Sequence, residues 1–160
     1  MCIYVQYMAD VVDKSTRSRM MAGIGGKNTT PELLLRRELH ALGFRYRLHN
    51  PALPGKPDLA FAKYRAVIQV NGCFWHRHDC HLFRWPGSRR SFWEKKLNDN
   101  AERDQRNLAD LEKLGWRVLT VWECALKGRT RRQLPEVIHT AANWVQFGEG
   151  SAVIEGRMET

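Results

Sequence analysis

Three cysteines and a loop histidine are the residues whose types and spacing most clearly suggest chemistry: Cys73-x4-His78-x-Cys80, with Cys124 far downstream. Three thiolates and an imidazole form a Cys3His set, a closed tetrahedral shell for Zn2+. Four protein ligands leave no place for substrate, so such an ion would be structural. Gly72 and the lack of any period from Asn71 to Ser88 let the loop fold back round one ion, while Cys124 would pin it to the end of a strand. Reduced buried cysteines beside a surface histidine fit the same residues. Spacing leaves the choice of histidine open, since His76 and His81 belong to the same loop. Cys2 stands apart and reads as a bystander.

A second group suits phosphodiester hydrolysis. Pro57-Asp58 opens one strand, and the next ends Val67-Ile-Gln69-Val-Asn71. A strand-borne carboxylate with polar groups on its neighbour can hold Mg2+ against a scissile phosphate, where negative charge builds during cleavage. Glu32, in the first turn of a helix, is placed to add an outer ligand through water. His76 is a candidate general base, and Asp104 a candidate partner for its other ring nitrogen. Taken alone, Pro-Asp followed by Gln-x-Asn is a weak, degraded form of the Pro-Asp…(Asp/Glu)-x-Lys pattern of restriction-type nucleases, and without further support a turn aspartate bonded to backbone amides is the better reading.

The elements that must position these groups follow from periodicity. Residues 1–28 are polar, with a basic run from Lys14 to Arg19, and read as an arm with one marginal helix. A firm helix is expected from Thr30 as cap and Pro31 as first helical residue to Gly43, with Leu33, Leu34, Leu35, Leu39 and Leu42 on its apolar face. Phe44–Leu48, Asp58–Ala62 and Arg65–Val70 are expected strands, the last two joined at Lys63-Tyr64. A short helical piece at Ser91–Trp93 is followed by a long helix from about Asn98 to Leu114, then by the strand Arg117–Trp122. A last amphipathic helix runs from about Gln133, with Pro135 in its first turn, to Phe147. Residues 148–160 carry no pattern and read as a flexible tail. This order predicts an α/β single domain over 29–147, a central mixed sheet with helices on both faces.

Composition narrows the partners. The 160 residues fit one domain, and Lys plus Arg number 26 against 17 Asp plus Glu, a formal charge of +9 that favours polyanions. Six Trp add flat surfaces able to stack on bases. No apolar run approaches a membrane span, and the N-terminal stretch lacks the layout of a secretory signal, so a cytoplasmic, nucleoid-associated protein is expected.

Several blocks together resemble the very-short-patch-repair (Vsr) DNA mismatch endonucleases. They are Asp13 to Arg19, Pro54-Gly-Lys-Pro-Asp58, Asn71-Gly-Cys-Phe-Trp-His-Arg-His-Asp-Cys80, Glu102-Arg-Asp104 and Trp116-Arg-Val-Leu-Thr-Val-Trp-Glu-Cys-Ala-Leu126. The resemblance implies a restriction-endonuclease-like fold. It implies nicking immediately 5′ of the mispaired T in a T:G pair, the lesion left by 5-methylcytosine deamination. By position, Asp58 and the main-chain carbonyl of Val70 match the Mg2+ ligands, His76 the catalytic histidine, Asp104 its acidic support, and Glu32 an acid near the metal waters. Cys73, His78, Cys80 and Cys124 match the zinc ligands.

Phe74, Trp75 and Trp93 match aromatic residues that wedge into the stack beside the mismatch, where a weakly stacked wobble pair is cheapest to open. Without the resemblance, Phe74 and Trp75 would read as core. On the arm, Met21 is placed to probe the opposite groove, with Arg17 and Arg19 beside it, though Met20-Met21 covering apolar surface fits equally. Asn71 departs from the histidine common in the family, and the first seven residues have no family counterpart. A monomer is expected, linked functionally to a cytosine-5 DNA methyltransferase and a mismatch-repair partner. Two other readings compete: a restriction-type nuclease of paired sites, disfavoured by Phe74-Trp75, and a zinc-stabilised binding module, disfavoured by intact Asp58, His76 and Asp104.

Overall fold

The structure is a computed structural model that describes residues 13–22 and 27–159, without the side chains of Arg17, Met20, Met21 and Ala22. The expected roles of Met21 and the Arg17 side chain, and those of Cys2 and residues 1–7, lie outside the described residues. Arg19 is exposed on α1 (Lys14–Ala22). Asp13 begins that helix, accepting from the Thr16 N–H at 2.8 Å and the Ser15 hydroxyl at 2.6 Å. These bonds, the Ser15 hydroxyl first, hold its pKa at about 2.

Helix α2 (Thr30–Ala41) is capped at Thr29, one residue before the expected cap, with Pro31 in its first turn. Gly43, at φ +95°, turns the chain out of it. Strands β1 (Arg47–Leu48), β2 (Leu59–Phe61), β3 (Ala66–Asn71), β4 (Arg117–Trp122) and β5 (Ala152–Ile154) form one sheet in the order β1-β2-β3-β4-β5. The first two pairings are antiparallel and the last two parallel. Between β3 and β4 runs α3 (Arg90–Lys113), and α4 (Leu134–Phe147) joins β4 to β5.

Alternation along the strands sorts the helices into layers. Leu59, Phe61, Ala66, Ile68, Leu119 and Val121 pack with Leu35 and Leu39 of α2 and with Val137, Ala141 and Val145 of α4. Ala60, Val67 and Val118 face the other way, onto Leu108 and Leu111 of α3. The chain is therefore an α/β single domain with a mixed five-stranded sheet between two helical layers. Among the described residues no helix is long and apolar enough to cross a membrane.

Three expectations are corrected. The long helix is continuous from Arg90, without a separate piece at Ser91–Trp93, because Arg90–Glu94 and Lys95–Asp99 pairs one turn apart support its polar opening. Leu114 is 52% exposed, not inward, since it falls on the cap where the helix ends. The stretch read as a flexible tail contributes β5, whose Ile154 is buried and whose backbone pairs with β4 over Leu119, Thr120 and Val121. Three residues are too few to show a period, but a parallel neighbour supplies the hydrogen bonds that make them a strand.

Candidate functional site

The carboxyl end of β3 is where the chemistry gathers. Strand β2 begins at Leu59, paired with Ile68, so β3 outruns its antiparallel neighbour. The Asp58 carboxylate fills that gap: Oδ2 accepts the Val70 N–H at 2.7 Å, replacing a missing ladder bond. Burial raises the pKa of Asp58 to about 6 against the Val70 bond, and the charge of Glu32 adds to the rise. His49 and His76 are both near enough for their charges to act on Asp58 in the opposite sense.

Glu32 is almost fully buried at the start of α2, an expensive place for a carboxylate without partners. Its Oε2 accepts the Asn28 N–H at 3.0 Å, and Oε1 accepts from Arg36 Nη1 at 3.3 Å. His49 joins it to Asp58, with Nε2 3.0 Å from Glu32 Oε1 and Nδ1 3.5 Å from Asp58 Oδ1. Motif reading missed His49: it belongs to no spaced pattern, and only the fold of β1 against β2 brings it to the site. Glu32, His49 and Asp58 offer one donor atom each, all within 4.8 Å of one another, a group able to hold a cation.

His76 Nδ1 lies 2.5 Å from Asp104 Oδ2 on α3. That partner fixes the tautomer with the proton on Nδ1, leaving Nε2 as the basic nitrogen. His76, Val70 and Asn71 line one cleft of about 1140 Å³, together with Phe74, Trp75 and Lys96. Asn71 is buried at 9% exposure. The rings of Phe74, Trp75 and Trp93 form a mutual cluster with centroids 5.1, 5.5 and 6.0 Å apart. All three are half-buried, and Lys96 stands over Trp75 at 5.9 Å. Asn100 on α3, also missed in the sequence, donates to the Trp75 carbonyl at 3.0 Å and holds the loop.

The thiol cluster lies at the other end of the same loop. One donor atom each from Cys73, His78, Cys80 and Cys124 lies within 4.8 Å of the others. His78 Nδ1 is 3.6 Å from both Cys73 Sγ and Cys124 Sγ. A tetrahedral ion with metal–nitrogen and metal–sulfur bonds of about 2.0–2.3 Å has edges of roughly 3.6 Å, so this donor set fits one. Burial raises the pKa of the Cys73 and Cys124 thiols, which a bound cation would reverse by stabilising thiolate. The chain-end segment completes the surroundings: His78 Nε2 meets Glu155 Oε2 at 2.9 Å, and the Gly156 N–H donates to Cys124 Sγ at 3.2 Å. A side chain at Gly156 would crowd the Cys124 carbonyl at 2.8 Å. The Cys73 N–H donates to Glu123 Oε2 at 3.1 Å, and Trp122 stacks on His78 at 4.1 Å. His81 stays outside the group, beside the Thr130 hydroxyl at 3.3 Å.

Fold and site together define a single-domain α/β protein with carboxylate–imidazole groups at the end of its central strand and, beside them, a cysteine-rich group able to hold a metal ion. The sequence profile described as "DNA mismatch endonuclease Vsr" matches residues 9–82. The chain is 44% identical over 145 residues to the DNA mismatch endonuclease Vsr of Escherichia coli (strain K12), spanning 91% of this chain and 92% of that protein. It is 43% identical over 122 residues to the type II nicking enzyme V.NmeAIP of Neisseria meningitidis, covering 76% of this chain and 87% of the relative. Against the type II nicking enzyme V.XorIIP of Xanthomonas oryzae pv. oryzae it is 44% identical over 119 residues, 74% and 88% of the two chains. This chain belongs to the Vsr family of DNA mismatch endonucleases.

Proposed function

We propose that this protein nicks one strand of duplex DNA immediately 5′ of the mispaired T in a T:G pair, with Mg2+ as catalytic cation and Zn2+ in the cysteine cluster. The observation that carries the reading is the Asp58 carboxylate within electrostatic reach of the Asp104-supported His76, whose cleft is also lined by Phe74 and Trp75, with Trp93 packed against both rings. The mixed sheet with Asp58 at the head of β2 supports a restriction-endonuclease-like core.

In this mechanism Asp58 and the Val70 carbonyl would hold the cation, with Glu32 as the acid near its waters. Mg2+ bound there offsets the negative charge that builds on the phosphoryl and leaving oxygens. His76 Nε2 takes the proton from the attacking water, while Asp104 keeps the ring oriented and stabilises its charged form. Asn71 donates and accepts hydrogen bonds but takes up no proton, so proton transfer falls to His76. Phe74, Trp75 and Trp93 open the mismatched step, exchanging ring-on-ring contacts for contacts with bases. Exposed Arg84, Arg89 and Lys95, with Arg19 on the arm, contact phosphates and supply affinity without sequence information. The substrate is the deamination product of a cytosine-5 methyltransferase's own sites, which ties the protein functionally to such an enzyme.

Duplexes carrying T:G or T:A at one position, with Mg2+, test the proposal directly. Nicking is expected on the T:G duplex alone, and Asp58→Ala should abolish it while binding stays measurable. Equal cleavage of both duplexes would instead make the protein a nuclease of paired sites, and full nicking by Asp58→Ala would remove the metal site proposed here.

A further inference from the structure

His49 follows β1 in the left-handed region, at φ +47°. A residue with a side chain is strained there, so the surroundings must fix it. The His49 N–H donates to the Asp58 carbonyl at 3.2 Å, which ties this turn to the residue that opens β2. The result is an imidazole directed inward between α2 and Asp58, with its side chain 13% exposed.

The two ring nitrogens face different acceptors. Nε2 is buried, with Glu32 Oε1 3.0 Å away but not aligned as a hydrogen bond, and among the described residues it has no other partner. Glu32 is already committed as an acceptor by the Asn28 N–H and the Arg36 guanidinium. The ring proton therefore belongs on Nε2, toward Glu32, and the lone pair of Nδ1 points at Asp58 Oδ1 across 3.5 Å. In the neutral ring, a lone pair and a carboxylate oxygen repel each other at that separation; a second ring proton relieves this, and so does a cation that lies between them and binds both. Two ligands bound at about 2.1–2.2 Å and roughly 90–110° apart stand some 3.0–3.6 Å from each other, the separation found here. A ligating histidine commonly turns its second nitrogen to a carboxylate that fixes its orientation. Glu32 occupies that place.

We infer that His49 Nδ1 is a direct ligand of the divalent cation held by Asp58, with Glu32 orienting the imidazole from behind. The inference rests on the proposed role of Asp58 as a cation-binding residue. It makes the site a mixed nitrogen–oxygen one, and imidazole favours first-row transition ions such as Mn2+ over Mg2+.

The test uses the full chain with its cysteine cluster filled by zinc, and Mn2+ as probe without DNA. Electron spin-echo modulation of bound Mn2+ should show coupling to a directly bound ¹⁴N, lost in His49→Asn, a residue that tolerates the left-handed turn. By calorimetry, His49→Asn should weaken Mn2+ binding by about tenfold or more and Mg2+ binding by a clearly smaller factor, since imidazole contributes less to the harder ion. His49→Gly, which relieves the turn, should regain Mn2+ affinity with added imidazole, and ¹⁵N-imidazole should replace the ¹⁴N frequencies with those of ¹⁵N. Nitrogen coupling unchanged in His49→Asn, or equal losses for both cations, would overturn the inference and leave the nicking proposal standing. Mn2+ binding unaffected by Asp58→Ala would overturn the cation role of Asp58 itself, and this inference with it.

Discussion

Asp58 sits where burial makes its charge unwelcome. Its pKa is raised from 3.8 to about 6, by burial first, so the folded chain holds this proton more firmly than the unfolded one. The stabilisation from that proton is complete below about pH 4 and is lost as pH rises through about 6. Above that, ionised Asp58 destabilises the cation-free protein by an amount on the order of 3 kcal/mol. Asp58→Asn, whose amide oxygen still accepts from Val70, should therefore raise the melting temperature at pH 8 without divalent cation. The gain should vanish near pH 4, and one of equal size there would show that burial of charge is not its source. Asp104→Asn should lower kcat by about 10²–10⁴-fold with little change in KM, because it removes the orientation of His76 and not a contact with DNA. At this scale the sequence was readable wherever residues were close in the chain: Cys73, His78 and Cys80 share a loop, and the group does contain His78 in place of the competing His76 and His81. His49 was not readable, because its part depends on a left-handed turn and on two residues from other elements.

Elements were legible where they are long and amphipathic. Helices α2 and α4 and strand β4 lie within a residue or so of expectation, since one apolar stripe or one run of β-branched residues decides each. The polar start of α3 and the brief β5 were not, because charge pairs in one case and a neighbouring strand in the other supply what periodicity cannot show. One residue on β4 serves this layer in particular. Arg117 donates to the carbonyls of Trp144, Val145 and Gly148 at 2.8–2.9 Å, closing the end of α4, and to Tyr64 O at 3.0 Å. Arg117→Met leaves those acceptors short of donors and should cost about 2–4 kcal/mol, measurable by urea unfolding. Glu155, just after β5, bears on the cysteine group through His78. Glu155→Ala should weaken zinc binding by about 10–100-fold in a chelator competition, and an unchanged affinity would mean the 2.9 Å contact does not orient the ligand.

For the molecule as a whole, the excess of positive charge predicts affinity for DNA that falls steeply with salt, as condensed counterions are released. The slope of log affinity against log salt should be the same for T:G and T:A duplexes, because phosphate contacts do not read the mismatch. Stripping the metal from the cysteine group should lower the melting temperature and abolish nicking together, even with Mg2+ restored, since β4, β5 and the catalytic loop all meet there.

Phe74, Trp75 and His76 occupy the interval between Cys73 and His78, two members of that group. Held at both ends by the proposed ion, the stretch would give up most of its conformational freedom before any DNA is met. Encounter then requires little further ordering of the wedge or of the base, so association should be quick and its entropy less unfavourable than for a free loop of equal length. On the proposed function, rigidity set by one ion would become speed at the lesion.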